Sequence, residues 1–378
     1  ADKFGARTVF RAAIVVFTLG SLACGFAVSL PDLVLYRIIQ GMGGAMMVPV
    51  GRLVILRMVP KHEIVSALAW LVIPALIGPM IGPPLGGFIT TFFHWRWIFW
   101  INIPIGIAGF WLATKYIEDI REENVPPLDV SGFILSGIGL TGLAFGFTTI
   151  GQELLPVWLS ASMIAVGAVV MYFYVRHARR HPAPLIDLKL LSVQTFRASV
   201  AGGSLFRIGI GAMPFLLPLM FQLGFGLSPL QSGLLTFAGA AGAILMRASA
   251  APILRRFGIK RVLVVNTVIA VGFVAACGLF TPGTPYFIVI AVLFVGGFFR
   301  SLQFTSLNSL AFADLGQSTM SQATSFTSVA QQISISAGVA VAAVVLEILR
   351  YSRGTNEILL GDFSIAFFAV SLCSLGAI

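Results

Sequence analysis

The sequence predicts an all-α polytopic membrane protein of about twelve bilayer-crossing helices. Two observations carry that prediction. Of 378 residues, 58% are hydrophobic and only 10% charged, whereas a soluble domain carries about a quarter charged residues. Apolar runs of about 20 residues, each long enough to cross a bilayer as a helix, also recur from one end to the other. They are continuous rather than alternating, which excludes the strands of a membrane barrel.

Polar punctuation justifies each run in turn. Run 10–29 follows Lys3, Arg7 and Arg11 and stops at "SLPD"; 34–57 stops at Arg57 and Lys61. Run 64–90 ends before "HWRW", and 97–116 ends at Lys115 and Arg121. Next come 131–150, closed by "GQELLP", and 155–175, closed by Arg176, Arg179, Arg180, Lys189 and Arg197. Run 197–222 ends at "GFGLSP" and 230–253 at Arg255, Arg256, Lys260 and Arg261. The last four are 262–280, stopping at "TPGTP", 286–310, 322–349, stopping at "LRYSRGTNE", and 363–378. Bases crowd alternate connections, and "LRYSRGTNE" alone breaks the alternation. By the positive-inside rule the base-rich connections, the opening one included, are cytoplasmic.

The net charge of +10 therefore belongs to loops and gives no continuous basic face for nucleic acid. Cys24, Cys277 and Cys373 lie inside apolar runs and read as small buried hydrophobes rather than disulfide or metal ligands. The opening "DKFGAR" returns as "RRFGIKR" (Arg255 to Arg261), again between two runs. Gly5 and Gly258 would each supply a tight turn. The echo points to parallel structural repeats.

These residues resemble the major facilitator superfamily, in particular the EmrB/QacA-type drug:proton antiporters with fourteen spans. Asp2, Lys3, Gly5 and Arg7 match the family's loop between spans two and three. "LYRIIQGMGGA" matches the span-four motif through Arg37, Gln40 and Gly41. "GPMIGPPLGG" matches the antiporter motif at Gly78, Gly82, Pro83, Gly86 and Gly87, and "WRWIFWINIPIG" looks like the start of span six. About eight runs separate the two loop copies where six are usual, which implies two extra central helices. The resemblance thus implies a major facilitator fold of two pseudo-symmetric bundles. Residues 1–117 would hold spans three to six, 118–192 the two additional spans with cytoplasmic linkers, and 193–378 the second bundle. On this reading the first two spans and the end of the last are not in the sequence.

Gly78, Gly82 and Gly86 share one helix face where another helix can approach closely, while Pro79, Pro83 and Pro84 permit a bend. The resemblance makes this a seal against proton leak; tight packing with a proline kink is the plainer alternative. It also makes Asp2 a latch onto the positive end of the helix beginning near "GQSTMSQATS", against ordinary loop charge. Arginines inside apolar spans need partners or a wet cavity. Arg37 has Gln40 on its face; Arg207 begins a stripe with Gly211, Pro214, Pro218 and Gln222; Arg300 has Gln303 one turn on. By family topology they line the substrate and proton pathway; tying kinked helix ends together is the alternative. A stripe of Ser321, Ser325, Ser328, Gln332 and Ser336 reads as packing or as cavity lining.

The implied function is export of drugs or other amphipathic small molecules in exchange for protons across a bacterial inner membrane, with no cofactor and no metal. A proton-linked importer or metabolite exporter of the same fold is the alternative, and a non-transporting sensor a remoter one. Catalysis is not expected: Ser66 replaces the second histidine of an H-E-x-x-H motif at His62, and His94, His177 and His181 fall in loops. Partners are the substrate, protons and the bilayer, with a periplasmic adaptor open and no nucleic acid. Acids are nearly absent from the spans, so the proton carrier is expected in the missing first span. The same scarcity, beside three arginines, favours neutral or acidic substrates.

Overall fold

The computed structural model describes residues 5–58, 78, 81–118, 129–149, 155–181, 184, 187–316, 319–354 and 358–377. Among these, ten helices are long and apolar enough to cross a membrane, and the shorter Leu360–Leu375 is apolar too. Of the expected run 64–90, only residue 78 and residues 81–90 are described. Contacts divide the chain into two units, Ala1–Pro127 and Leu128–Ile378.

The first unit contains α1 (Ala6–Gly25), α2 (Leu30–Met58), α3 (81–92), α4 (Trp97–Trp100) and α5 (Asn102–Tyr116). Gly5 starts α1 at φ 89°, a backbone region that L side chains rarely adopt. The "SLPD" connection becomes a capping box. Ser29 N–H donates to Asp32 Oδ2 at 3.1 Å, and Asp32 N–H donates to Ser29 Oγ at 3.3 Å. α1 and α2 then pack backbone to backbone, since a Cβ on Gly20 would lie 2.6 Å from Gln40 N.

The second unit opens with the hairpin α6 (Val130–Thr149) and α7 (Val157–Ala178). Its helices touch through glycine: a Cβ on Gly142 would sit 3.1 Å from Gly167 Cα. After a 3₁₀ turn (Leu188–Ser192) come α8 (Gln194–Leu219), α9 (Pro229–Phe257), α10 (Ile259–Cys277), α11 (Tyr286–Phe312), α12 (Met320–Arg353) and α13 (Leu360–Leu375). α8 carries Pro214 and Pro218 and ends in a π turn, Met220–Gly224. Each proline removes an amide donor, and the ladder resets with Phe225 N–H donating to Met220 O at 3.0 Å.

α9 starts with Ser228 and Gln231 bonded reciprocally and Pro229 in its first turn. It ends at Gly258, whose φ of 77° and ψ of 147° repeat those of Gly5, 89° and 135°. The two copies of F-G-x-[RK] are therefore the same turn, each starting the helix that follows. Side chains from α8 to α13, with Phe221, Phe363 and Phe367 wholly enclosed, form the largest core. α6 also packs on α12, so the hairpin expected as a separate central segment falls in the same contact unit as α8–α13. His177, expected in a loop, occupies the last turn of α7.

Candidate functional site

In the first unit Gln40 is the hub. It is 3% exposed, enclosed where α1 and α2 approach. Its Oε1 accepts from Arg37 Nη1 at 2.8 Å, and its Nε2 donates to Ser21 Oγ at 2.8 Å. Asn102 Nδ2 of α5 donates to the same hydroxyl at 3.0 Å, and Ser21 donates in turn to Phe99 O at 2.9 Å. Ser21 thus spends two acceptor sites and its one donor, which fixes the orientation of every group in the chain. Arg37 lies at the exposed edge, its guanidinium 5.7 Å from the Phe99 ring centroid. Gln40 occupies one of its N–H groups and leaves the charge facing outward.

The second unit repeats this chemistry. Gln303 of α11, 2% exposed, accepts from Asn266 Nδ2 at 2.8 Å and donates to Thr267 Oγ1 at 2.6 Å, both on α10. Thr267 passes its proton to Leu263 O at 2.7 Å. In both units an R-x-x-Q segment, "RIIQ" then "RSLQ", places a buried glutamine against polar groups of the preceding helix. The sequence reading noted both arginines and both glutamines but missed Ser21, Asn102, Asn266 and Thr267. The available signal was the recurrence of R-x-x-Q with a small polar residue in the helix before it.

Arg300 is half-buried beside α9, where a Cβ on Gly239 would lie 3.6 Å from its Nη2. Arg207 is 3% exposed, and its Nε is buried without a hydrogen-bond partner. Its Cζ lies over the Phe304 ring, 5.6 Å from the centroid, a cation–π contact. Gln222, in the π turn below Arg207 on α8, is exposed. Gly211 of the same stripe meets α12: a Cβ there would lie 2.7 Å from Ile335 Cα.

The glycine motif has a different environment. A Cβ placed on Gly78, Gly82 or Gly86 meets no atom within 4 Å among the described residues. Pro83 is exposed and Gly87 buried. Asp2 and Lys3 lie outside the described residues; Gly5 forms the turn and Arg7 sits half-buried in the first turn of α1. Ser321 is likewise outside the described side chains, while Ser328 donates to Thr324 O within α12 and Gln332 is exposed.

Acids at helix ends are used as caps and pairs. Glu347 accepts from Arg350 at 2.9 Å. Asp362 pairs with Arg353 and accepts from Leu359 N–H at 2.8 Å. Asp129 accepts from Gly132 N–H at 2.8 Å and contacts His177 Nε2 at 2.9 Å.

Residues 1–339 match the Major Facilitator Superfamily. The chain belongs to that superfamily. A relative from Pectobacterium atrosepticum named "Putative multidrug resistance protein MdtD" is 37% identical over 348 residues, covering 92% of this chain and 74% of the relative. The protein of the same name from Escherichia coli O9:H4 is 38% identical over 348 residues, 92% of this chain and 73% of its own. These relatives are of the EmrB/QacA type, as the motifs implied. Among solved structures, a POT family transporter in complex with 5-aminolevulinic acid superposes with a TM-score of 0.70 at 16% identity, covering 99% of this chain and 81% of its own. An inward-facing bacterial homologue of the human lysosomal transporter Spinster gives 0.61 at 13% identity, covering 100% and 80%. At such identities these two share the fold with this major facilitator. It is a membrane transporter and not an enzyme.

Proposed function

We propose that this major facilitator exports small amphipathic molecules, drugs among them, in exchange for protons at a bacterial inner membrane, and that it favours neutral or acidic ones. The relatives carry a multidrug-resistance name, and the Gly78–Gly87 segment has the antiporter pattern. Arg207 is the observation that carries the substrate class. A guanidinium enclosed in an apolar helix, with an unsatisfied Nε, is costly unless something supplies acceptors. An acidic group of a substrate would supply them. Arg37 and Arg300 would act as further donors on the pathway, with Gln40 and Gln303 holding their helices in register. The Gly78–Gly87 face would seal against proton leak, and Asp2 with Lys3, Gly5 and Arg7 would latch the cytoplasmic side.

Everted membrane vesicles with an acidified lumen test the direction. The full-length protein should drive amphiphiles into the lumen and dissipate the proton gradient as it does so. Movement the other way would make it an importer. In the same assay Arg207→Ala should cut transport of acidic amphiphiles about tenfold or more, the factor for losing a charge-assisted hydrogen bond worth about 1.5–3 kcal/mol. Arg207→Lys should retain part of it. Unchanged acid export with reduced ethidium export would overturn the substrate class.

A further inference from the structure

At the polar end of the α6–α7 hairpin, Asp129, His177 and His181 come together, with one ligand atom from each lying within 4.8 Å of the others. Asp129 is the residue before α6, and its side chain is 4% exposed. One carboxylate oxygen, Oδ1, caps the helix through Gly132 N–H and meets His177 Nε2. The other, Oδ2, is buried with no hydrogen-bond partner. It occupies the place a side chain on residue 132 would need, since a Cβ there would collide with it. The helix cap and the His177 contact engage Oδ1 and leave Oδ2 without a hydrogen bond. Burial pushes the Asp129 carboxyl up, but the Gly132 N–H and His177 outweigh it and hold it below the usual carboxylate value.

His181 follows His177 by four residues, and its N–H donates to His177 O at 3.0 Å. The chain thus keeps one more turn beyond Ala178, and the two imidazoles lie tilted by 31° with centroids 5.1 Å apart. They border a hollow of about 530 Å³, together with Leu135, Phe173, Arg176 and Arg180.

We infer that Asp129, His177 and His181 form a binding site for a first-row divalent cation of the zinc type. Imidazole and carboxylate are the donor set that such ions prefer. Bonds of about 2.1 Å to each ligand hold donor atoms roughly 3–3.5 Å apart, close to the 2.9 Å between Asp129 and His177. His181 closes the remainder by torsion of its side chain. Neutral His177 carries its proton on Nδ1 and turns the Nε2 lone pair to the ion, so the hydrogen bond to Asp129 is replaced by two metal bonds. Water from the hollow fills the open positions. Arg176 and Arg180 are exposed beside it, screened by solvent, and lower the affinity without blocking access. The site also adjoins α12, because Tyr174, one turn before His177, packs on Phe326 and Val329 of that helix.

The test uses the full chain in detergent, purified on a histidine-free tag and stripped by chelator. Titration with Zn²⁺ alone, and with Co²⁺ read by its visible absorption, should give one saturable ion per chain. His181→Gln and His177→Gln should abolish it, and His94→Gln should leave it intact. Asp129→Asn keeps a capping oxygen and should weaken binding at least about tenfold while the protein stays helical and monodisperse. If His177→Gln does not fold, His181→Gln and Asp129→Asn decide the matter. Folded wild type without saturable binding, or binding untouched in those two variants, would overturn the assignment.

Discussion

Gln40 and Gln303 show what one amide can do inside an apolar span. Gln40 reaches α1 through its Nε2 and Gln303 reaches α10 through both ends of its amide, and interhelical hydrogen bonds in membranes are worth about 0.6 kcal/mol on average. Their value lies more in register than in energy, because a slip of one residue would leave donors stranded in a medium without water. Gln303→Leu takes the donor from Thr267 and one of the two acceptors from Asn266 Nδ2, leaving it Phe299 O, while Asn266 Oδ1 is already unsatisfied. It should cost about 1–3 kcal/mol, read as a lower melting temperature in detergent. Pairing it with Thr267→Val removes both partners of one bond and should recover part of that loss. Additive losses in the double variant would show that the pair is not coupled.

Helices that look alike in sequence are built for opposite ends. The glycines of α9 and α11 admit backbone contact: a Cβ on Gly297 would collide with the Gly239 carbonyl. Those of the α3 motif meet no atom within 4 Å among the described residues. Gly297→Ala should therefore lower the melting temperature sharply, as overpacking costs typically 1–3 kcal/mol. Gly82→Ala and Gly86→Ala should leave it unchanged or raise it, since alanine favours a helix by up to about 1 kcal/mol over glycine. A proton leak in those two variants, measured by dye quenching in vesicles, would mark the motif as functional rather than structural. A stability loss matching that of Gly297→Ala would show that these glycines are packed against a neighbour as tightly as Gly297 is.

Across the whole molecule, the hairpin α6–α7 belongs to the unit of α8–α13. Its hold is the core of Tyr174 and Ala178 with Leu188, Phe326 and Val329. Protease sites engineered into both residues 119–128 and residues 182–186 should, once cut, leave the freed α6–α7 fragment bound to the piece carrying α8–α13, detectable by co-migration in detergent. Loss of the hairpin's slow amide exchange after cleavage would refute that grouping.

The run of apolar segments was legible because the bilayer imposes a length and a polarity that any spanning helix must satisfy. The paired Gly5 and Gly258 turns were legible for a similar reason: a positive φ restricts the residue locally. R-x-x-Q was visible as polarity out of place. What the linear order left open was which groups meet. Gln40 and Asn102 converge on Ser21, Asn266 and Thr267 on Gln303, and Asp129 on His177 from residues far apart in the chain. The same holds for the two kinds of glycine, of which one set lies against a neighbouring backbone and the other meets no atom within 4 Å among the described residues. Hydropathy and turn chemistry act on single residues and short windows. Hydrogen-bond pairing and helix contact depend on distance in space, and that exists only once the helices have packed.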